Sequence, residues 1–291
     1  MITIFLYKLM SLLCSLPHRY GTPHMNRISS SVLVSSLAIV GLSLGVTAQA
    51  AERQFTFTTQ SSVLTPGTKE AEVITTYRAG RVDYFRAMDT RLELEVGVTD
   101  QFQTAIYLNW NSTTKADGSG GTTTESGFES VSLEGKYKLS DSVADALGSA
   151  LYAEATLGSE EAELEFKGIV DKRLGNILVA ANGVYEAEFE MGPEDSEIEH
   201  VLKLTAGASY FVKPTFALGF EVVQKNVIEE SEHEHAMVHA GPVAFYNAGS
   251  FWLTTTAMWQ LVDFNEATPG YDLNLSSSER FAVRMIFGTD F

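Results

Sequence analysis

The feature that most constrains this chain is an alternation of period two that runs through almost everything after Lys69. In Thr90 to Val98, Leu92, Leu94, Val96 and Val98 take one side, and Arg91, Glu93, Glu95 and Gly97 the other. Phe128 to Leu139 sets Val131, Leu133, Gly135, Tyr137 and Leu139 against Ser130, Ser132, Glu134, Lys136 and Lys138. Leu164, Phe166 and Val170 oppose Glu163, Glu165, Lys167 and Asp171, and Ile198 to Tyr210 repeats the scheme. Successive side chains of a strand face opposite sides, so each segment is a strand with one apolar and one charged face. A barrel with lipid outside and water inside needs that arrangement in every strand.

The alternation predicts an all-β fold, an antiparallel up-and-down transmembrane β-barrel of about twelve strands. The segments are 69–80, 88–98, 102–112, 127–139, 149–158, 162–172, 177–190, 197–211, 216–226, 235–246, 251–262 and 279–291. Each is close to the ~9–11 residues that cross a bilayer at a tilt. An even number returns both chain ends to one side. The connections after the even-numbered strands are mostly tight, such as Thr99-Asp100-Gln101 and Arg173 to Asn176. The other set holds the long polar loops, Ser112 to Ser126, Val227 to Glu234 and Asp263 to Ser278. Short periplasmic turns and longer surface loops are the expected pattern, so both ends of the chain are placed in the periplasm.

The N-terminus supports export. Met25, Asn26 and Arg27 make a short positive start, Ser31 to Val46 an apolar stretch, and Ala48-Gln49-Ala50 a small-residue cleavage site. This reads as a cleaved signal peptide over 25–50. Residues 1–24 read as an upstream start extension, 51–68 as a periplasmic N-terminal segment and 69–291 as the barrel. Removing residues 1–50 takes away three bases, Lys8, Arg19 and Arg27, and no acid, so the net charge moves from −17 to −20. That balance argues against a nucleic-acid partner. The single cysteine, Cys14, leaves with the same segment, so the mature chain has no disulfide and no thiolate metal site.

Aromatics gather near strand ends: Phe102, Tyr137, Phe216, Tyr246, Phe251 and Phe287 at one level, Trp110, Phe189, Trp259 and Phe264 at the other. Lipid interfaces favour such girdles. In the last strand Phe281, Val283, Met285 and Phe287 alternate toward a terminal Phe291. An aromatic C-terminus after alternating apolar residues resembles the signal read by the outer-membrane barrel-assembly machinery, which is therefore an expected partner, along with outer-membrane lipid and lipopolysaccharide.

Two stretches, "VLTPGTKEAEVITTYRAGR" and "DTRLELEVGVTDQFQTAIYLNWN", carry a Pro-Gly-Lys-type turn and then a hairpin of Arg91, Glu93, Leu94, Glu95, Gly97, Thr99, Asp100 and Gln103. They resemble a group of uncharacterised proteobacterial outer-membrane barrel proteins of porin-like or transporter-like type. "HAGPVAFY" at His239 to Tyr246 is a weaker match. The resemblance implies the fold and the outer membrane, and names no substrate.

Function is sought in the lumen. Twelve strands ~4.8 Å apart and tilted by ~40° close at a backbone radius of roughly 12 Å, so any pore is narrow. Counting to the middle of each strand gives Arg91, Glu93, Glu134, Glu154, Lys167, Asn182, Lys203, Glu221 and Arg284 as inward residues of a constriction. Their mixed signs fit a passive channel for small hydrophilic, cationic solutes, since inward acids outnumber bases. They fit equally a non-conducting structural or surface-interaction barrel with a salt-bridged lumen. A lipid hydrolase is the third class. It needs a base within reach of an activated serine, and His200, His233, His235 and His239, the histidines after residue 50, stand in no such context. No enzyme activity and no cofactor are expected. His233 and His235 are weak metal candidates, being two apart on a strand and so on one face.

Overall fold

The computed structural model describes residues 53–159, 161–191, 198–229, 232–265 and 267–291. The expected signal peptide and start extension lie outside these residues. Twelve strands form one closed antiparallel barrel in which each pairs with its neighbours in sequence and β1 closes on β12. They are β1 (Lys69–Ala79), β2 (Phe85–Gly97), β3 (Phe102–Ala116), β4 (Thr122–Ser140), β5 (Gly148–Gly158), β6 (Glu161–Leu174), β7 (Ile177–Glu190), β8 (Ile198–Lys213), β9 (Phe216–Glu229), β10 (Glu232–Asn247), β11 (Trp252–Asp263) and β12 (Phe281–Asp290). Thr76 of β1 lies opposite both Asp89 of β2 and Arg284 of β12.

The burial pattern is inverted relative to a water-soluble protein. Leu133 and Leu204 are 61% and 63% exposed, while their inward-facing neighbours include Glu134, at 2%. Along β9, Leu218 and Phe220 face outward and Glu221 is fully buried. An apolar medium outside the barrel makes this arrangement favourable, because hydrocarbon accepts leucine and rejects carboxylate.

The tight connections fall at one end, here the turn end, and the longer ones at the other, the loop end. Two of the expected long loops are mostly strand. β3 runs to Ala116 and β4 begins at Thr122, so only Asp117 to Gly121 turns. Thr113, Thr114 and Thr122 to Thr124 are β-branched and favour the extended state, which lengthens the hairpin beyond the core of the barrel. Asp117 accepts from the N–H groups of Ser119 (2.8 Å) and Gly121 (2.9 Å). The bonds from Ser119 and Gly121 hold its carboxyl below the usual range, which keeps a negative charge at the loop tip. The β9–β10 hairpin is likewise strand up to Glu229 and again from Glu232.

The aromatic girdles are real ring contacts in several places. Phe251 stacks on Phe287 at 5.4 Å and meets Tyr246 edge-on at 6.5 Å near the turn end. Trp110 meets Phe128 at 5.5 Å and Trp259 meets Phe281 at 5.1 Å toward the loop end. Of the C-terminal residues, Phe281 thus packs on Trp259 of β11 and Phe287 on Phe251 just ahead of β11, Met285 is exposed, and Phe291 is 71% exposed with its N–H donated to Lys69 O at 3.1 Å.

Residues 53–64 are not outside the barrel. Thr65-Pro66-Gly67-Thr68 forms a tight turn, with Thr68 N–H donated to Thr65 O at 3.0 Å and Gly67 at φ 85°. Proline before a positive-φ glycine is the sequence of a type II turn. Gly67 also donates to Gly97 O at 2.9 Å, which ties the turn to the end of β2. The reversal sends the preceding residues back into the lumen, where Phe55, Thr58, Ser61 and Leu64 are all buried.

Candidate functional site

The segment crosses the lumen near the turn end and touches nine of the twelve strands through hydrogen bonds or ion pairs. Leu64 N–H donates to Gln103 Oε1 at 2.9 Å. Ser61 donates from its N–H (3.0 Å) and its hydroxyl (2.6 Å) to the carboxylate of Asp171. Thr59 exchanges a pair of bonds with the amide of Asn182, at 2.6 and 2.8 Å. Glu221 then takes three successive backbone donors, Thr56 at 3.1 Å, Phe57 at 2.9 Å and Thr58 at 2.9 Å, with the Thr256 hydroxyl at 2.5 Å. An extended segment buried in a lumen has no sheet partner for its N–H groups, and these carboxylates and amides replace one.

Arg53 ends the crossing. Its guanidinium lies 2.7 Å from Glu95, 3.1 Å from Glu93 and 3.3 Å from Glu72. Oxygens of Glu70, Glu72 and Glu95 gather within 4.8 Å of one another, as do those of Glu93, Glu95 and Glu134. Buried carboxylates this close repel unless a cation sits among them, and Arg53 is that cation. Phe55 supplies the apolar anchor beside Leu178, Ala180 and Val243. Its ring lies over Gly207, where a Cβ would come within 2.7 Å of it. A layer of Ile74, Tyr107, Phe211, Phe245, Trp252 and Ile286 packs the lumen at this end.

Above the segment the lumen opens into a vestibule of about 1340 Å³, bounded below in part by Phe57. Its lining carries eleven acids against seven Lys and Arg, so the net field is negative. Several are locally paired: Arg91 with Glu154 at 2.5 Å, Lys167 with Glu165 at 2.7 Å, Lys203 with Glu186 at 2.5 Å. The long connection before β12 narrows the mouth. Its Asn274 and Leu275 are buried, Gln260 donates to Asn274 O at 3.0 Å, and Glu279 takes Arg78 at 3.2 Å and Arg81 at 2.5 Å.

All nine residues expected at a constriction face the lumen, but depth divides them. Arg91, Glu154, Lys167, Lys203 and Arg284 line the vestibule. Asn182 and Glu221 hold the N-terminal segment, Glu93 holds Arg53, and Glu134 accepts from the Tyr107 hydroxyl. Sequence reasoning set 51–68 apart as a segment ahead of the barrel and so missed Arg53, Phe55 and the clamp on them. The alternation of Phe55 and Phe57 with Thr56 and Thr58 was the available signal. For the histidine pair, the register shifts between His233 and His235, so a β-bulge interrupts the spacing that would have put both on one face. His235 instead meets Asn274 at 2.8 Å.

A family described only as a family of unknown function (DUF6662) matches residues 47–291. No curated protein matches the chain. Among solved structures, the COG4313 outer-membrane channel from Pseudomonas putida F1 is similar at a TM-score of 0.60 and 12% identity, covering 79% of this chain and 98% of that one. The β domain of the Bordetella autotransporter BrkA gives 0.53 and 10%, over 78% and 100%. The NanC porin gives 0.51 and 12%, over 76% and 100%. Identities this low speak for the shared barrel fold alone.

Proposed function

The chain belongs to this family of unknown function, and from that footing we propose that it is a narrow passive channel of the Gram-negative outer membrane for small hydrophilic solutes. The observation that carries the reading is the charged vestibule, a space of about 1340 Å³ inside a barrel whose outer wall is apolar. The turn end is periplasmic and the loop end faces outside, as in barrels of this kind. The similar channel and porin structures support a place in that membrane. The reading includes no catalytic role.

Purified protein in planar bilayers should give small discrete conductance steps with cation preference, because a low-dielectric wall focuses the field of the acid excess. Reversal potentials across a salt gradient check the sign. The preference should weaken as salt rises, since the Debye length falls to ~3 Å at 1 M. Anion preference, or silence both with and without residues 53–64, would overturn the channel reading.

The filled turn end favours a second reading, a barrel that is closed at rest and serves structure or surface interaction. Silence of the intact protein combined with conduction once 53–64 is removed would select it.

The C-terminal strand carries a separate expectation. Phe291 packs on little, so its loss should barely alter the finished barrel. If it is instead read by the assembly machinery, deleting it should lower outer-membrane levels and leave precursor or fragments in the periplasm. Unchanged levels in fractionated cells would remove that role.

A further inference from the structure

We propose that the vestibule selects small zwitterions, solutes with a carboxylate at one end and an ammonium at the other, such as amino acids and short peptides. The inference rests on the channel reading for its purpose, but its binding step does not require conduction.

In a closed ring of twelve strands, β12, β1 and β2 stand opposite β6, β7 and β8. The first wall brings Arg284, Arg78, Arg81 (in the β1–β2 connection) and Arg91 to the cavity, against Asp89 and, from the adjoining loop, Glu279. The opposite wall brings Glu161, Glu163, Glu165, Glu186, Glu188 and Glu199, against Lys167 and Lys203. Four bases less two acids leaves the first wall at +2; six acids less two bases leaves the second at −4. A transverse field therefore crosses the vestibule, and it orients a dipole that a uniformly acidic pore would leave unaligned.

Each wall also presents to the cavity an ionisable side chain that makes no ion pair among the described residues. Arg284 donates from Nε to Thr76 Oγ1 at 2.8 Å and from Nη1 to Thr56 O at 3.4 Å, and its guanidinium carbon stands 4.1 Å from the centre of the Phe57 ring. These contacts fix its plane. Among the described residues no carboxylate lies within ion-pair distance of it, and Nη2 has no hydrogen-bond partner. A planar, fixed guanidinium with free donors is a carboxylate receptor. Across the cavity, Glu163 and Glu188 likewise have no ion-pair partner among the described residues. A backbone radius of roughly 12 Å, less a side chain at each wall, leaves a gap on the order of 10 Å, which a dipeptide spans.

The test uses three solutes of nearly one skeleton: glycylglycine, N-acetylglycine without the amine, and glycine N-methylamide without the carboxylate. Each competes with labelled glycylglycine in equilibrium dialysis against the full-length protein in detergent. Glycylglycine should compete about tenfold better than either single-charge probe, a ratio equal to ~1.4 kcal/mol. Arg284→Gln should bring it down to the level of glycine N-methylamide, and Glu163→Gln with Glu188→Gln to that of N-acetylglycine. Both variants are first checked for the shifted electrophoretic mobility of an unheated barrel. Arg284→Lys, which keeps the charge but not the fork, should fall between the wild type and Arg284→Gln. Equal competition by all three probes, better competition by the amine alone, or no saturable binding would each overturn the proposal. Because binding is read without a membrane, its failure leaves the channel reading standing, and bilayer silence leaves the binding result standing.

Discussion

Deleting residues 53–64, with the export signal retained, should raise single-channel conductance severalfold and sharpen cation selectivity. The first effect is steric. The segment spans the lumen from Gln103 on β3 to Glu95 on β2 by way of β6, β7 and β9, so its removal joins the vestibule to the turn end. The second is electrostatic. Deletion takes away one cation, Arg53, and uncovers Glu70, Glu72, Glu93, Glu95, Asp171 and Glu221, all of them buried when the segment is in place. Those carboxylates then face water in a pore with low-dielectric walls, where their field is strongest. The reversal potential in a salt gradient should move further toward the cation limit than in the intact protein. Arg53→Gln is the smaller version: the segment keeps Phe55 and its hydrogen bonds but loses its answer to three carboxylates, so brief openings are expected in place of a constant open level. Conductance unchanged by the deletion would mean that the constriction lies elsewhere, at the mouth where Asn274 and Glu279 fold inward.

The barrel was legible in the sequence because its cause is local. Alternation is fixed residue by residue by the two media on either side of the wall, so Leu133 outward and Glu134 inward follow from parity alone. All twelve strands match the expected segments to within two residues at most ends, and the exceptions are loop-end boundaries of β2, β3, β4, β9 and β10, which run three to five residues further. The lumen was legible in direction but not in depth. Parity says that Glu221 and Lys203 both face inward, but not that one is a clamp for backbone amides and the other a vestibule wall. That distinction depends on residues 53–64, whose partners lie up to 228 positions away in sequence and are brought together only by closure of the ring. Local exceptions were lost for a related reason. The bulge between His233 and His235 breaks the period that the face assignment relied on, and nothing in the residue types there announces it.

Glu221→Leu should release the segment without removing any of it. The carboxylate is fully buried and accepts the N–H groups of Thr56, Phe57 and Thr58 as well as the Thr256 hydroxyl. Leucine is close in size and accepts nothing, so three backbone donors lose their acceptor inside the lumen. Each orphaned buried donor costs about 1–3 kcal/mol. The sum exceeds what burial of the Phe55 side chain returns, roughly 1.5–3 kcal/mol. The bound arrangement should therefore give way locally while the strands, held by their own ladders, stay intact. Hydrogen exchange read by mass spectrometry gives the check: a peptide covering 53–64 should lose protection by at least about tenfold, and peptides from β3 to β8 should not change. Glu221→Gln should do less, because it keeps one carbonyl acceptor but turns an NH2 group toward donors that cannot accept it. The order of effects, leucine above glutamine above wild type, separates loss of hydrogen-bond acceptors from loss of charge alone, for which the two substitutions would be equal. Full protection of 53–64 in the leucine variant would show that Arg53 and Phe55 hold the segment by themselves, and that Glu221 only accommodates it.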